Sequence, residues 1–395
     1  MQRPKILFIH DGNFSFVNQH VRKLLSYHFK HCEVESFDIR ANIKQKKRYF
    51  LINILFFLWE YRSDILFQYK NVSSLKSSLF VTTYLQRKIK RTITRMVANG
   101  NYLFTFQTQS QYDASVSGTP HYVYTDHTLR ANFLYPNVDY RRLMKPNQYL
   151  LYDERKIYQR ASLTFTYSAN IRNSLIHQYD IPSTRVTTVG VGCSLALPTT
   201  LNPGKYASQN ILFVGLDWQR KGGPLLLEAF ALVQQQVPNV TLTIVGCCPA
   251  IDQVPNVSVI GKVSLPEVCR FYEQAAVFCM PSHREPFGLV YLEAMLYRLP
   301  VVALSIGALP ELVSSGQNGY LARGNAFDLA ERLTYLIQRP DVCQKMGRQS
   351  AKVVQRYQWE TVGTILAHRI REDLKQCSVN QAVYNSLSSV RKEHP

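Results

Sequence analysis

The chain alternates β-type runs with helical patterns, in two successive series. Strands that alternate with helices of ordinary length are typical of βαβ units, which build parallel sheets with helices on both faces. The first series has predicted strands at 5–10, 33–39, 102–107, 121–126 and 163–168. Its helices are predicted near 17–29, over most of 43–98, and at 147–160 and 169–179. We therefore predict an α/β fold with a doubly wound, Rossmann-like first sheet.

The alternation restarts after LALPTTLNPGKYASQN (195–210), a segment with two prolines and no apolar periodicity. Strands are predicted at 210–215, 240–246, 257–261, 276–282 and 300–305, with helices at 223–236, 265–275, 326–337, 340–356 and 359–376. We predict a first domain at 1–194, a linker at 195–209, a second Rossmann-like domain at 210–375 and a tail at 376–395. Ligands of such folds bind at the carboxyl ends of the strands, so the predicted site lies in the cleft between the two domains.

Positive charge is concentrated in the first half of the chain. Residues 1–200 carry 27 Lys and Arg against 12 Asp and Glu, whereas residues 201–395 carry 19 against 15. Such a field attracts phosphate groups of a nucleic acid, an anionic membrane or a phosphorylated substrate. No recognition-helix, RNP or zinc-finger pattern accompanies the charge, so we predict that nucleic acid is not a partner.

Two segments contribute much of this charge. NIKQKKRYFLINILFFLW (42–59) places four basic residues before an eleven-residue apolar run, and YLQRKIKRTITRM (84–96) has five basic residues at helical spacing. A membrane span needs about 20 apolar residues, so the run is too short to cross a bilayer. Two interpretations stay open: contact with an anionic membrane surface, or core helices with a solvated basic face.

The cysteine pattern and the N-terminus bear on the compartment. Eight cysteines are scattered without a CxxC pair, which favours free thiols and a reducing compartment. MQRPKILFIHDG predicts a buried first strand rather than a signal peptide. We expect a cytoplasmic protein, with peripheral contact on the inner face of the membrane as the open alternative.

The segment SHREPFGLVYLEAMLYRLPVVAL (282–304) contains the first candidate site. Pro286 is predicted to begin a helix, since its fixed φ suits the first turn. The next backbone N–H groups would then have no partner within the helix and would favour an anion such as a diphosphate, at Phe287, Gly288 and Leu289.

Two carboxylates flank this predicted helix start. Glu285 lies at the strand end, and Glu293 lies two turns into an otherwise apolar helix. A buried carboxylate is costly unless something bonds to it, and a pair of sugar hydroxyls would satisfy Glu293. The alternative is that Glu293 pairs with a structural Arg or Lys and that Glu285 is a solvated loop residue.

A second candidate lies in FVGLDWQRKGGPLLLEAF (213–230), where Arg220 and Lys221 stand between a strand and a helix. Cations at this position suit phosphate binding. The loop matches neither a Walker A loop nor a GxGxxG fingerprint, which disfavours P-loop and NAD sites. The alternative is a solvated basic loop.

Further candidates follow the first-half strands. Asp126 and His127 end one strand, and Asp11 and Gly12 form the turn after another. Asp11, Gly12 and Asp126 are expected on the cleft side as an acceptor-side or phosphate loop, and His127 is expected there as a catalytic residue together with Glu285. The segment SIGALPELVSSGQNGYL (305–321) adds loop residues around a short helix, at Gly307, Glu311 and Gly319.

The second half of the chain resembles the retaining glycosyltransferases of family 4, which have the GT-B architecture of two facing Rossmann-like domains. The resemblance covers about residues 205–375 and is carried by VGLDWQRKGG, GKVSLPEV, PSHREPFGLVYLEAM, GALPELVSSGQNGYL and RYQWETV. The first half is similar only through its first strand, TDHT and SANIRNSL. Where many relatives carry an arginine this chain has Leu216, and we expect Arg220 to supply that charge.

The resemblance implies a role for each candidate. Glu285 would contact hydroxyls of the transferred sugar and Glu293 the ribose hydroxyls. Arg220, Lys221 and the amides of Phe287, Gly288 and Leu289 would hold the diphosphate, and His127 would lie near the sugar and the acceptor. The base would contact the backbone of Gly261, Lys262 and Val263.

The implied reaction is transfer of a hexosyl group from a UDP- or GDP-sugar to a lipid-linked or polysaccharide acceptor, with retention of configuration. The resemblance implies no cofactor besides this co-substrate, and the absence of an Asp-x-Asp pair predicts a metal-independent site. Three alternatives remain open: a nucleotide-sugar epimerase, a phosphorylase of the same fold, and a non-catalytic binding protein.

Overall fold

Two six-stranded parallel sheets organise the described part of the chain. The structure is a computed structural model, and it describes residues 3–12, 16–45, 47–62, 65, 79–80, 82–135, 154–195, 202–251 and 254–390. The fold class predicted from the alternating pattern is confirmed. We refer to the first sheet with its helices as the N-terminal lobe and to the second as the C-terminal lobe.

The strand orders are those of doubly wound sheets. The N-terminal sheet has the order β2-β1-β3-β4-β5-β6, and its strands are β1 (Lys5–His10), β2 (Glu33–Asp38), β3 (Tyr102–Thr108), β4 (His121–Thr125), β5 (Leu163–Thr166) and β6 (Val186–Thr188). The C-terminal sheet has the order β12-β11-β10-β7-β8-β9, with β7 (Asn210–Val214), β8 (Thr241–Val245), β9 (Val257–Gly261), β10 (Val277–Cys279), β11 (Val301–Leu304) and β12 (Gly319–Ala322). Central strands such as β4 and β11 are buried at every position, because helices cover both faces of a parallel sheet.

Helices fill the connections between strands. In the N-terminal lobe they are α1 (Val17–His28), α2 (Ile39–Gln45), α3 (Lys47–Glu60), α4 (Thr83–Ala98), α5 (Leu129–Asn132), α6 (154–160) and α7 (Ala169–Tyr179). The following helices are α8 (Gly223–Gln236), α9 (Leu265–Gln274), α10 (Leu289–Leu296), α11 (Leu309–Leu312), α12 (Ala326–Ile337), α13 (Pro340–Val354) and α14 (Trp359–Val390).

Most predicted elements are found with ends shifted by one or two residues, but the helix predicted at Pro286 begins only at Leu289. Gly288 has φ +91°, a left-handed conformation that cannot continue a helix, and the Pro286 carbonyl accepts instead from Ala308 N–H. The short strands β6 and β12 were not predicted. The predicted strand 276–282 is limited to β10. Parts of the predictions at 43–98 and 147–160 lie outside the described residues.

The last helix returns to the N-terminal lobe. The ring of Trp359 stacks on His20 of α1 with centroids 4.7 Å apart, and Tyr122 of β4 donates a 2.8 Å hydrogen bond to Asp373. Near its start, Cys193 N–H donates to the Tyr357 carbonyl at 2.9 Å. The predicted domain boundaries stay predictions, since residues 196–201 of the linker lie outside the described residues. Helix α14 continues through the predicted tail to Val390.

Candidate functional site

A buried ion pair joins two loops at the carboxyl end of the C-terminal sheet. The Lys221 ammonium donates to the Glu285 carboxylate, and the two side chains are 12% and 8% exposed. Lys221 follows β7 and Glu285 follows β10, and these strands are neighbours in the sheet. The sequence predicted both residues for this edge, and the structure brings them into direct contact. Glu285 is therefore not a solvated loop residue.

Arg220 fastens the same two loops from the solvent side. Its guanidinium donates to Asp217 at 3.1 Å and to the carbonyl of Arg284 at 2.9 Å. The loops approach so closely that a Cβ on Gly222 would lie 1.9 Å from the carbonyl oxygen of Pro281. Only glycine fits there, with φ +74°. Leu216, in the same loop, is 73% exposed and adds no charge.

Helix α10 begins beside this ion pair with unused donors. Among the described residues, the backbone N–H groups of Phe287, Gly288 and Leu289 have no protein acceptor. Such a helix start favours an anion. The Phe287 ring is buried against Tyr167 of the N-terminal lobe, with centroids 6.0 Å apart, so the helix start lies where the lobes meet.

Glu293 lies one turn into α10 and is half-buried. Its carboxylate accepts a 3.0 Å hydrogen bond from Tyr272, and no Lys or Arg in the described part of the chain forms an ion pair with it. Burial raises the pKa of Glu293, and the Tyr272 hydrogen bond offsets this only in part. The alternative of a structural Arg or Lys partner is therefore not found among these residues. The carboxylate keeps acceptor capacity for a ligand.

The end of β9 lies at the same carboxyl edge of the C-terminal sheet as the ends of β7 and β10. The Gly261 carbonyl accepts a 2.7 Å bond from Gly246 N–H, and Gly261 has φ +76°. Gly261 is buried, Lys262 is exposed and Val263 is half-buried. Their predicted contact with a base stays a prediction.

The N-terminal lobe contributes a histidine–aspartate pair after β4. His127 Nδ1 lies 2.7 Å from Asp126 Oδ1, and the His127 carbonyl accepts from Thr125 at 2.8 Å. Burial alone would lower the pKa of His127, but the charge and hydrogen bond of Asp126 raise it above its ordinary value. The His127 ring is one-third exposed and lies within the electrostatic reach of Arg284, so this pair faces the C-terminal cluster.

Glu154 is a part of the site that the sequence reading missed. Its buried carboxylate accepts from Ser110 at 2.8 Å, from Leu129 N–H at 3.0 Å and from Tyr179. Burial raises the pKa of Glu154 despite these donors. The carboxylate fixes the segment that follows His127. These donors come from three separate segments, so no local sequence pattern could have revealed it.

A cavity of about 460 Å³ separates α7 from the loop after β11. Its polar wall includes amide, hydroxyl and imidazole side chains, at Asn170, Asn173, Ser174, His177 and Gln178. Gly307 closes the other side, where a Cβ would lie 2.9 Å from the Tyr135 hydroxyl and 2.0 Å from the Glu285 carbonyl. The cavity therefore adjoins the Lys221–Glu285 pair.

Glu311 connects the lobes beside this cavity. Its carboxylate accepts from Ala169 N–H at 2.8 Å and from Asn170 N–H at 2.7 Å, at the start of α7. A carboxylate at a helix N-terminus is stabilised by the helix dipole. The sequence predicted Glu311 in a loop beside a short helix, but Glu311 lies within that helix, α11, and no sequence pattern indicated its partner.

Asp11 and Gly12 are held within the N-terminal lobe. The Asp11 carboxylate pairs with Arg40 at 2.9 Å, and Gly12 N–H donates to Asp38 at 3.3 Å. Gly12 has φ +66°, as a tight turn requires. Neither residue contacts the Lys221–Glu285 cluster, and their role as a phosphate loop stays a prediction.

Neither a metal site nor a membrane-spanning helix is found in the described part of the chain. No group of three or more His, Cys, Asp or Glu residues there could hold a metal ion. No described helix combines the length and apolarity that crossing a bilayer requires. All eight cysteines are free thiols.

The C-terminal lobe matches a known protein family. Residues 208–339 match the family model described as Glycosyl transferases group 1. D-inositol 3-phosphate glycosyltransferase of Arthrobacter sp. (strain FB24) is 32% identical over 171 residues, which cover 40% of this chain and 41% of that protein. An uncharacterized glycosyltransferase of Haemophilus influenzae is 29% identical over 185 residues, covering 43% and 52%. The matched regions span about half the length of these curated relatives.

Solved structures match nearly the whole chain. Sucrose-phosphate synthase from Thermosynechococcus elongatus has a TM-score of 0.68 at 15% identity, covering 94% of this chain and 99% of that one. Anabaena HepE, solved with UDP and glucose, has a TM-score of 0.63 at 17% identity, covering 93% and 100%. At such identities the likeness establishes the fold. The chain therefore has the GT-B fold, and residues 208–339 are similar to the group 1 glycosyl transferases.

Proposed function

We propose that the protein is a retaining glycosyltransferase of family 4 that transfers a hexosyl group from a UDP- or GDP-sugar to a lipid-linked or polysaccharide acceptor. The observation that carries the proposal is the cluster at the start of α10. Three unused amides, the Lys221–Glu285 pair and the half-buried Glu293 lie together there, beside a cleft cavity. The family match to residues 208–339 and HepE's complex with UDP and glucose support the same donor class.

Each residue of the site has its own role in the proposed reaction. Arg220, Lys221 and the α10 amides stabilise the charge that develops on the departing diphosphate. The bond from the anomeric carbon to the phosphate oxygen breaks through an oxocarbenium-like state. The acceptor oxygen bonds to that carbon from the same side, and its proton passes to the departing phosphate. Glu285 holds sugar hydroxyls, and His127 lies beside the attacking acceptor. No metal is assigned a role.

The acceptor is assigned to the cavity between α7 and the loop after β11. The amide and hydroxyl groups of its polar wall support a carbohydrate, since such groups hydrogen-bond to sugar hydroxyls. The positive charge of residues 1–200 supports an acceptor presented at an anionic surface, the inner face of the cytoplasmic membrane.

Thermal shift and calorimetry with UDP, GDP and their sugars test the donor assignment. A nucleotide that binds the native state raises the melting temperature, and Glu293→Ala is expected to weaken this binding at least tenfold. Glu228→Ala, an exposed change on α8, is the matched control. Equal affinity in both variants would refute the assignment. Incubation with donor alone distinguishes transfer from epimerisation, because an epimerase would convert the sugar without an acceptor.

A further inference from the structure

Helix α3 turns its apolar side outward. Five large apolar side chains are 41% to 67% exposed, at Leu51, Ile52, Leu55, Leu58 and Trp59. At 100° per residue these positions fall within one stripe along the helix. Single exposed apolar residues are ordinary on protein surfaces, but a contiguous stripe of this kind marks a contact surface. We call these five residues the α3 stripe.

The opposite side of α3 is polar at its centre and fully buried there. Asn53 is 0% exposed, donates to the Leu79 carbonyl at 2.8 Å and accepts from the Thr82 hydroxyl. Next to it, Phe56 stacks on Tyr84 of α4 with centroids 5.1 Å apart. These contacts anchor α3 to the lobe through this side. They fix the rotation of the helix so that the α3 stripe faces outward. The packed side also contains Ile54, Phe56 and Phe57, so α3 is apolar on its exposed side as well as on its packed side, unlike an ordinary surface helix.

Cations border the stripe at both ends. The Arg62 guanidinium lies 5.6 Å from the centre of the Trp59 ring, and Lys88 lies 4.7 Å from the centre of the Tyr49 ring at the start of α3. Arg91 and Arg95 are exposed on the same side of α4, three and seven residues after Lys88.

Basic residues outnumber acidic ones in both segments, although Arg40 pairs with Asp11 and Lys90 with Asp113 outside them. Residues 39–62 contain six Lys and Arg against one acidic residue, Glu60, and α4 contains five against none. Glu60 is turned inward, where its carboxylate accepts from Thr83 N–H at 3.1 Å. The border of the stripe is therefore positively charged.

The geometry points to an anionic lipid bilayer as the partner of the α3 stripe. A nucleic acid would use the cations but not five exposed apolar side chains, whereas acyl chains and anionic headgroups match both features. At 14 residues, α3 is about 21 Å long and cannot span a bilayer, so it lies along the interface. Trp59 and Arg62 occupy the headgroup level, where such side chains are favoured. This inference rests on the membrane-facing acceptor of the proposed function and names the surface that would bind the membrane. Its test needs no nucleotide, so its failure is distinguishable from failure of the donor assignment.

The test is sedimentation of the full chain with vesicles of phosphatidylcholine alone or with about 30 mol % phosphatidylglycerol. We expect binding to the anionic vesicles only, with Trp59 emission shifted to the blue and quenched by brominated acyl chains. The double variant Leu51→Gln/Leu55→Gln is expected to lower the partition coefficient at least tenfold. Both side chains are exposed, so the fold is not at risk.

Two matched controls isolate the surface. Phe327→Gln removes an apolar side chain that is 76% exposed in the C-terminal lobe and is expected to leave binding unchanged. Arg91→Gln/Arg95→Gln is expected to weaken binding, and Lys345→Gln/Lys352→Gln, with the same charge change on α13, is not. The Trp59→Phe variant identifies the emission that belongs to Trp59.

Four outcomes would overturn the proposal. The first is no binding of the wild type to anionic vesicles, and the second is equal binding of the Leu51→Gln/Leu55→Gln variant. The third is a wild-type dimer that this variant converts to monomer without vesicle affinity, since the stripe would then bind a second copy. The fourth is Trp59 emission that acrylamide cannot quench in vesicle-free protein, since another part of the chain would then cover the stripe.

Discussion

The Glu311 carboxylate accepts a 2.7 Å hydrogen bond from the backbone N–H of Asn170, although the two residues belong to different lobes. Its second oxygen accepts from the preceding amide at 2.8 Å, so one side chain caps the start of α7 from across the cleft. The contact is exposed and depends on a charge at a helix N-terminus, an interaction of about 0.3–1 kcal/mol.

Replacing this carboxylate should shift the lobes apart. In Glu311→Gln, the neutral amide has no charge and has one acceptor oxygen fewer than the carboxylate. We therefore expect this variant to raise the fraction of molecules with separated lobes a few-fold. Small-angle scattering would detect this as a larger radius of gyration. Glu331→Gln makes the same charge change on the exposed side of α12 and should not alter the scattering. Identical curves for both variants would mean that Glu311 does not hold the lobes together.

The Lys221–Glu285 pair allows stability to be separated from binding. Glu285→Leu alone leaves a buried ammonium without its partner and is expected to cost about 3–5 kcal/mol of unfolding free energy. The double variant Lys221→Met/Glu285→Leu should recover most of this loss while donor affinity remains abolished. Denaturant unfolding and nucleotide calorimetry on the same samples check both parts. Additive losses of stability would show that the two side chains are not coupled.

The Asp126–His127 pair predicts a pH window for stability. Because its pKa is raised in the folded state, His127 contributes stability fully below its ordinary value of about 6.5, and the contribution is lost as pH rises through the folded pKa. The pKa of Asp126 is lowered by His127 against the opposing effect of burial, so its contribution is lost only as pH falls through that folded pKa, below about 3.9.

The difference in unfolding free energy between wild type and Asp126→Asn should therefore be largest, about 1–3 kcal/mol, from about pH 4 to 6.5. This difference should decrease as the pH rises above about 6.5. Asp180→Asn is the control, since Asp180 pairs with Arg155, which does not titrate in this range. Unfolding by urea from pH 5 to 9 measures both differences. A gap that stays constant across this range would contradict a protonated His127.

Glu154 is expected to act as a positioning residue for His127, on the proposed function. Glu154→Gln keeps the size of the side chain but cannot accept from Leu129 N–H, Ser110 and Tyr179 as the carboxylate does. We expect kcat to fall about 10- to 100-fold with donor affinity unchanged, together with a shifted acidic limb of the pH–rate profile. Ser110→Ala retains the carboxylate and should have a smaller effect. A loss confined to stability, with normal kcat and pH profile, would make Glu154 merely structural.

Local patterns predicted the strands and most helices because their periodicity is fixed by neighbouring residues in the chain. The same reasoning placed Lys221 and Glu285 at one edge, since the carboxyl ends of parallel strands lie together. It failed at Pro286, because the left-handed Gly288 and the bond from Ala308 depend on tertiary contacts. It also missed the partners of Glu154 and Glu311, which come from distant segments.

The return of α14 has a mechanical consequence. The chain passes between the lobes at two places, between β6 and β7 and again between α13 and α14. Beside these passages, Cys193 N–H donates to the Tyr357 carbonyl. Gly192 lies so close to Trp359 that a Cβ would come within 2.3 Å of its ring. Because two adjacent chain passages connect the lobes, we expect the lobes to rotate about the axis through both passages and to resist twisting or sliding. Opening and closing of the cleft is then a rotation about that axis. A side chain added at Gly192 would clash with Trp359 and block this rotation.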